Sequence, residues 1–125
     1  MSALDAVTAW VGNYRAAWES NDPAAIGNLF TEDAAYFTEP YAKPWLGRDT
    51  IAAQWLKRKD TPATTTFQWH PVLVTEELAI VEATTTYTAP EPAIYHNLWL
   101  LRLDGSGQAR QFTEWWMAEP AAAES

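Results

Sequence analysis

The chain has no cysteine. That excludes disulfides, a thiolate nucleophile and thiolate-held metals, and it is what a reducing cytoplasm leads one to expect. Basic residues are scarce as well: eight Lys and Arg face sixteen Asp and Glu, for a formal net charge of −8. Phosphate contacts need a basic stripe, so nucleic acid is excluded as a partner, and an anionic membrane surface is disfavoured. The short run Lys57-Arg58-Lys59 reads as cations complementing the carbonyl end of a helix. Only two histidines occur, His70 and His96. Neither has an acidic neighbour at metal-ligand spacing, so no metal is expected. The five glycines form neither a phosphate-cradling loop nor a Gly-x-Ser-x-Gly elbow, so no cofactor is expected and a serine hydrolase is unsupported. No basic segment leads into an apolar run, and no stretch reaches the ~20 residues of a membrane span. The expectation is a cytoplasmic protein.

What is present in excess is aromatic: eight Trp, five Tyr and four Phe among 125 residues. Such side chains supply large rigid apolar surfaces with a few polar tips. The length suits one domain, expected over residues 1–119 with a flexible tail at 120–125.

Leu4, Val7, Val11, Tyr14 and Trp18 recur at helical period, after a capping-box-like Ser2 and Asp5. Asp22-Pro23 restarts a short helix carrying Ile26, Leu29 and Phe30. A short strand over 34–38 and an irregular, proline-bearing loop through Leu46 follow, then a helix from Arg48 to Lys59. From Thr64 the period changes to two. Residues 64–75, 78–88, 93–103 and 108–118 read as long strands joined by short connections, hence antiparallel neighbours. Helices gathered ahead of such strands give an α+β fold. The expected form is a cone-shaped α+β barrel, three N-terminal helices packed on a curved, mostly antiparallel sheet with a hollow suited to a ligand.

The order of these elements resembles the SnoaL-like family of the nuclear transport factor 2-like superfamily. Local patterns carry the resemblance: Ala17-Trp18-Glu19-Ser20-Asn21-Asp22-Pro23 through Leu29-Phe30-Thr31-Glu32-Asp33; Tyr36 with Glu39-Pro40, then Leu46-Gly47-Arg48; and the closing Phe112-Thr113-Glu114-Trp115-Trp116. The superfamily includes cyclases, isomerases, dehydratases and non-enzymatic members, so the fold leaves the activity open. Set against its ketosteroid isomerases, Tyr14 matches the oxyanion-hole tyrosine. Trp55 falls where they have a supporting tyrosine, and Trp99 where they have a protonated aspartate; the base aspartate falls near Thr38 and Glu39. Steroid isomerisation is therefore not implied.

Alternation puts Phe112, Glu114 and Trp116 on one face of the last strand, and the resemblance turns that face inward. Glu114 is the candidate acid/base, with Tyr14 as the donor to a developing oxyanion and the likeliest partner of the carboxylate. The competing reading is a Glu114 that only accepts a hydrogen bond, and a Tyr14 that only packs. Trp18, Tyr36, Trp45, Trp55 and Trp99 are candidate pocket lining, with plain core packing as the alternative. Asn97 shares a face with Trp99, which the resemblance turns inward. Glu82 either shares the pocket face with Thr84 and Thr86 or points to solvent. His96 could reach the pocket mouth. The expected ligand is a small apolar or aromatic organic molecule, bound or turned over by a cofactor-independent isomerase, cyclase or dehydratase. Trp69, Trp115 and Leu98 or Leu100 would give the outer sheet face to a homodimer.

Overall fold

Ser2 opens the first helix with a reciprocal capping box: Asp5 N–H donates to Ser2 Oγ at 3.1 Å and Ser2 N–H to Asp5 Oδ2 at 3.3 Å. The computed structural model describes residues 2–39, 41–57, 65–88 and 92–120. Helix α1 spans Ala3–Ser20 and ends where Asn21 takes a left-handed φ of 52°, a conformation asparagine tolerates. Its buried face is Val7, Trp10, Val11, Tyr14, Ala17 and Trp18. Trp10, which the heptad-like stripe omits, is only 2% exposed, whereas Leu4 is exposed.

Asp22 caps α2 (Pro23–Gly27) by accepting from Ala24 N–H, with proline in the first helical turn. Strand β1 then covers Phe30–Phe37, starting earlier than residue 34. Phe30 pairs with Ala109, and the ladder is irregular between Phe30 and Ala35; that bulge conceals the early start in the sequence. The proline-bearing loop contains a two-residue strand, β2 (Trp45–Leu46), paired antiparallel with β1. Gly47, at a φ of 89°, turns the chain into α3, Arg48–Lys57. Arg58 and Lys59, the tail 121–125, and most of the connection at 89–92 lie outside the described residues.

Strands β3 (Thr65–Val74), β4 (Ala79–Tyr87), β5 (Ala93–Leu103) and β6 (Ala109–Ala118) form successive antiparallel pairs. The sheet runs β2-β1-β6-β5-β4-β3. Its one parallel pairing, β1 with β6, makes it mixed, three helices packed on six strands. The β5–β6 connection is tied by Asp104, whose Oδ1 accepts from Ser106 Oγ at 2.7 Å, Ser106 N–H at 2.9 Å and Gln108 N–H at 3.1 Å. The Ser106 hydroxyl holds its carboxyl below the ordinary aspartate value; desolvation opposes it, and the backbone amides of Gln108, Ser106 and Gly107 add to the lowering.

The core lies between α1 and the inner sheet face. Trp10, Phe30, Trp99, Phe112, Ile26, Ile51 and Leu101 are all under 2% exposed or nearly so, and Trp10 Nε1 donates to Leu29 O at 2.9 Å. Each buried large apolar side chain contributes about 1.5–3 kcal/mol. Among the described residues, no helix is long and apolar enough to cross a membrane.

Candidate functional site

The site grows out of strand register. Trp99 stands opposite Glu114, Asn97 opposite Trp116, and Leu101 opposite Phe112 across β5 and β6. One strand further, Val81 faces Trp99 and Ala83 faces Asn97. Because side chains alternate along a strand, Phe112, Glu114 and Trp116 share a face with Asn97 and Trp99. The buried residues Trp99, Phe112 and Val81 identify that face as the inner one.

At the deep end the rings fill the space. Tyr14 lies 4.7 Å from Trp99, 5.1 Å from Trp55 and 6.0 Å from Phe112 between centroids. Trp10 lies 5.4 Å from Phe112. These are ordinary aromatic packing distances, so this part of the cone is core. Trp18 packs in a neighbouring corner against Phe67, with the Arg15 guanidinium 4.7 Å over its ring. Arg15 is also bonded to Glu19 at 2.9 Å and to Thr65 O.

Above the rings lies a polar cluster. Glu114 Oε2 accepts from Asn97 Nδ2 at 3.0 Å and from Trp99 Nε1 at 3.1 Å. Asn97 Oδ1 accepts from Thr85 Oγ1 at 2.9 Å. Glu114 is partly buried, while Asn97 and Thr85 are buried. On one side Tyr36 stacks on Trp45 at 4.8 Å and meets Phe112 at the same distance. On the other, Tyr87, Tyr95 and Trp116 follow one another at 5.6 and 5.7 Å. Trp116 is 51% exposed, so it forms a rim rather than a wall.

Glu114, Asn97, Trp99, Phe112 and Trp116 therefore come together as one group, with Tyr36 and Trp45 beside Phe112. Tyr14, Trp18 and Trp55 lie within the packed rings. Asn97 and Trp99 donate to Glu114 Oε2. Glu82 takes the solvent alternative: it shares a face with Thr84 and Thr86, and that is the outer face, where its Oε1 lies 3.3 Å from His70 Nε2 and both side chains are mostly exposed. His96 also lies on the outer face, with Nε2 2.6 Å from Glu119 Oε2. Trp69, expected outside, is opposite Ala83 and packs against the core.

Thr85 was missed. The signal was its phase with Ala79, Val81 and Ala83, diluted because Thr84 and Thr86 occupy the other phase. Among the described residues, no group of three or more His, Cys, Asp or Glu could hold a metal ion. A surface groove of about 460 Å³ between α2 and α3, lined by Pro23, Gly27, Arg48, Ala52 and Leu56 among others, shares no residue with the Glu114 cluster. Its one arginine is committed to Phe30 O at 2.9 and 3.0 Å.

Chemically, the cluster presents a fixed carboxylate amid aromatic surface. It can accept a hydrogen bond, receive a proton, or attract a positive charge.

The profile of the SnoaL-like domain matches residues 11–119. No curated protein matches the chain. Among solved structures, it is similar to an NTF-2 like protein of unknown function from Burkholderia xenovorans LB400: 16% identity, 96% of this chain and 89% of that one covered, TM-score 0.73. It is similar to a protein from Sphaerobacter thermophilus, at 18% identity, 95% and 99% coverage and TM-score 0.67. A third is a hypothetical protein with a ketosteroid isomerase-like fold from Catenulispora acidiphila DSM 44928, solved in complex with trimethylamine. It has 24% identity, 85% and 83% coverage and TM-score 0.63. At these identities the likeness establishes the fold.

Proposed function

The chain belongs to the SnoaL-like domain family, and on that footing we propose that it is a small-molecule-binding domain whose ligand meets Glu114 on the inner sheet face. The observation that carries this reading is the Glu114 carboxylate itself, fixed through Oε2 by Asn97 and Trp99 and bordered by aromatic rings. A carboxylate is a hydrogen-bond acceptor, so it suits a ligand that presents a donor. The ligand is a small organic molecule whose apolar body lies against Trp45 and the exposed Trp116, and whose polar group points at Glu114. The trimethylamine held by the Catenulispora acidiphila protein supports a small-molecule reading for a fold of this kind.

The packing of Tyr14 among six rings, at centroid distances of 4.7–6.5 Å, supports a core role for it over that of oxyanion donor. Binding without turnover is therefore the reading we favour over a cofactor-independent isomerase, cyclase or dehydratase. Native mass spectrometry of the purified protein tests it. A small molecule should co-purify and be lost from Glu114→Gln. A protein that carries nothing, and whose tryptophan fluorescence answers to no member of a panel of small apolar compounds, counts against it.

A second reading concerns assembly and is compatible with the first. Trp115 and Met117 on the outer face are 46% and 66% exposed, beside the half-buried Leu98 and Leu100. Exposed apolar residues clustered on a sheet face mark an interaction surface, and a second copy of this chain is the partner we propose. Sedimentation at micromolar concentration tests it.

A further inference from the structure

Both histidines of the chain stand on the outer sheet face, and each meets a carboxylate there. His70 on β3 is opposite Glu82 on β4, with Nε2 3.3 Å from Oε1. His96 on β5 has Nε2 2.6 Å from Oε2 of Glu119, the residue that follows β6. We infer that these two pairs make the outer face a pH-gated contact between copies of this chain, firm when the histidines are protonated and loose when they are neutral. This inference rests on the homodimer reading above and adds its regulation.

The gate is built by alternation. His96 shares its face of β5 with Ile94, Leu98 and Leu100. Met117 is opposite His96, and Trp115 is opposite Leu98. On β4, Thr84 is opposite His96 and Glu82 is opposite Leu98. Glu82 therefore faces His70 directly and His96 on the diagonal. Strand β3 is at the sheet edge, so β4 is the described strand paired with His70. Among the described residues of β3–β5, the only other charged group on this face is Arg102, whose Nη1 donates to Glu77 O at 3.4 Å. On β6 the same face shows the neutral Thr113, Trp115 and Met117. Two imidazoles and two carboxylates thus border the apolar patch of Leu98, Trp115 and Met117.

A two-fold contact sets this patch against itself. Each copy carries a formal net charge of −8, so copies repel, most of all where like charges meet at the contact. Neutral histidines leave Glu82 and Glu119 uncancelled on both copies. Protonated histidines cancel them. The pairs are 63% and 60%, and 49% and 45%, exposed. Water screens them in the free chain, where they contribute little. A contact that covers them removes that screening, so the protonation state matters more in the dimer. Histidine changes charge between about pH 5 and 8. Association that favours the protonated form takes up protons, and so it strengthens as pH falls.

Sedimentation velocity at about pH 5.5 and about pH 8, at one salt concentration, tests this. The dimer dissociation constant should be about tenfold or more lower at the acidic value. His70→Gln with His96→Gln keeps donors for the carboxylates but cannot take up a proton. That pair of changes should remove the pH difference and hold the dimer as weak as the parent at the alkaline value. Glu82→Gln with Glu119→Gln should act in the opposite direction, tightening the alkaline dimer toward the parent's acidic value. Melting curves at both values verify folding; where a double variant does not fold, each single variant should carry part of the same change. A parent dimer equally tight at both values, or tighter at the alkaline one, overturns the gate and leaves the homodimer reading standing. A pH difference that persists in full in the histidine variants overturns the gate as well. A parent that is monomeric at both values removes the homodimer reading, and the gate with it.

Discussion

Trp99 and Glu114 stand directly opposite each other on β5 and β6, and the indole Nε1 donates to the carboxylate Oε2 at 3.1 Å. Trp99 is 1% exposed and touches Tyr14, Phe67 and Phe112 within 5.4 Å between ring centroids. A single side chain thus joins the aromatic core to the polar cluster, and damage to either reaches the other.

Trp99→Phe removes the donor and leaves a small void. It should lower stability by about 1–3 kcal/mol, read from urea denaturation. A variant as stable as the parent would mean that the bond to Glu114 contributes nothing.

Glu114→Gln keeps an acceptor for Asn97 and Trp99 and removes the charge. The melting temperature should stay within a few degrees, with ligand affinity reduced. If the protein turns its ligand over, the same change should lower the rate by roughly 10² or more. A modest shift in affinity with no measurable turnover in the parent marks a binding site.

Trp10 is 2% exposed and donates to Leu29 O. Trp10→Ala should cost about 3–5 kcal/mol, and it leaves a buried carbonyl without that donor. Calorimetric melting should show an early, broadened transition.

Asp104 sets an acid limit on the β5–β6 turn. Its carboxyl is held below the ordinary aspartate value, first by the Ser106 hydroxyl. A depressed folded-state value gives stability that is fully present above the unfolded value and is lost as pH falls through the folded one. Asp104→Asn should therefore be less stable than the parent at neutral pH, and the gap should narrow as pH falls below the ordinary aspartate value of about 3.9. Urea midpoints at pH 7 and pH 3 give the comparison; a gap that is equal at both would refute the sign.

Trp115→Glu puts a charge on the outer face without touching the inner one. It should shift a dimer to monomer in sedimentation velocity while the far-ultraviolet dichroism is unchanged. A parent that is monomeric at micromolar concentration rejects the assembly reading.

Much of this architecture was legible in the residues. The helical spacing of Val7, Val11, Tyr14 and Trp18 and the period-two strands survive intact, because each buries one face. What alternation cannot say is which face is inner. In β6 the phase was marked by Phe112, and Glu114 followed it. In β4 the threonines at 84, 85 and 86 sit in both phases, so Glu82 was ambiguous until Val81 and Ala83 were seen to be buried. Trp69, expected on the outer face with Trp115, is in phase with Phe67, which packs on Trp99 at 5.4 Å, and so lies against the core. The partners of Glu114 come from another strand, and cross-strand register depends on turn geometry and on the irregularity at Arg102 and Leu103.

The sheet order has a consequence for how the protein is made. Strand β6 lies between β1 and β5, although it follows every other described strand in chain order. Until residue 118 emerges, β1 and the α2–α3 unit lack their neighbour, and β3–β4–β5 is a separate meander with an open inner edge. Nascent chains therefore hold two unfinished halves with exposed rings, a state prone to capture by chaperones or by one another. The carboxylate-bearing strand closes that gap, so completion of the sheet and completion of the site are a single event.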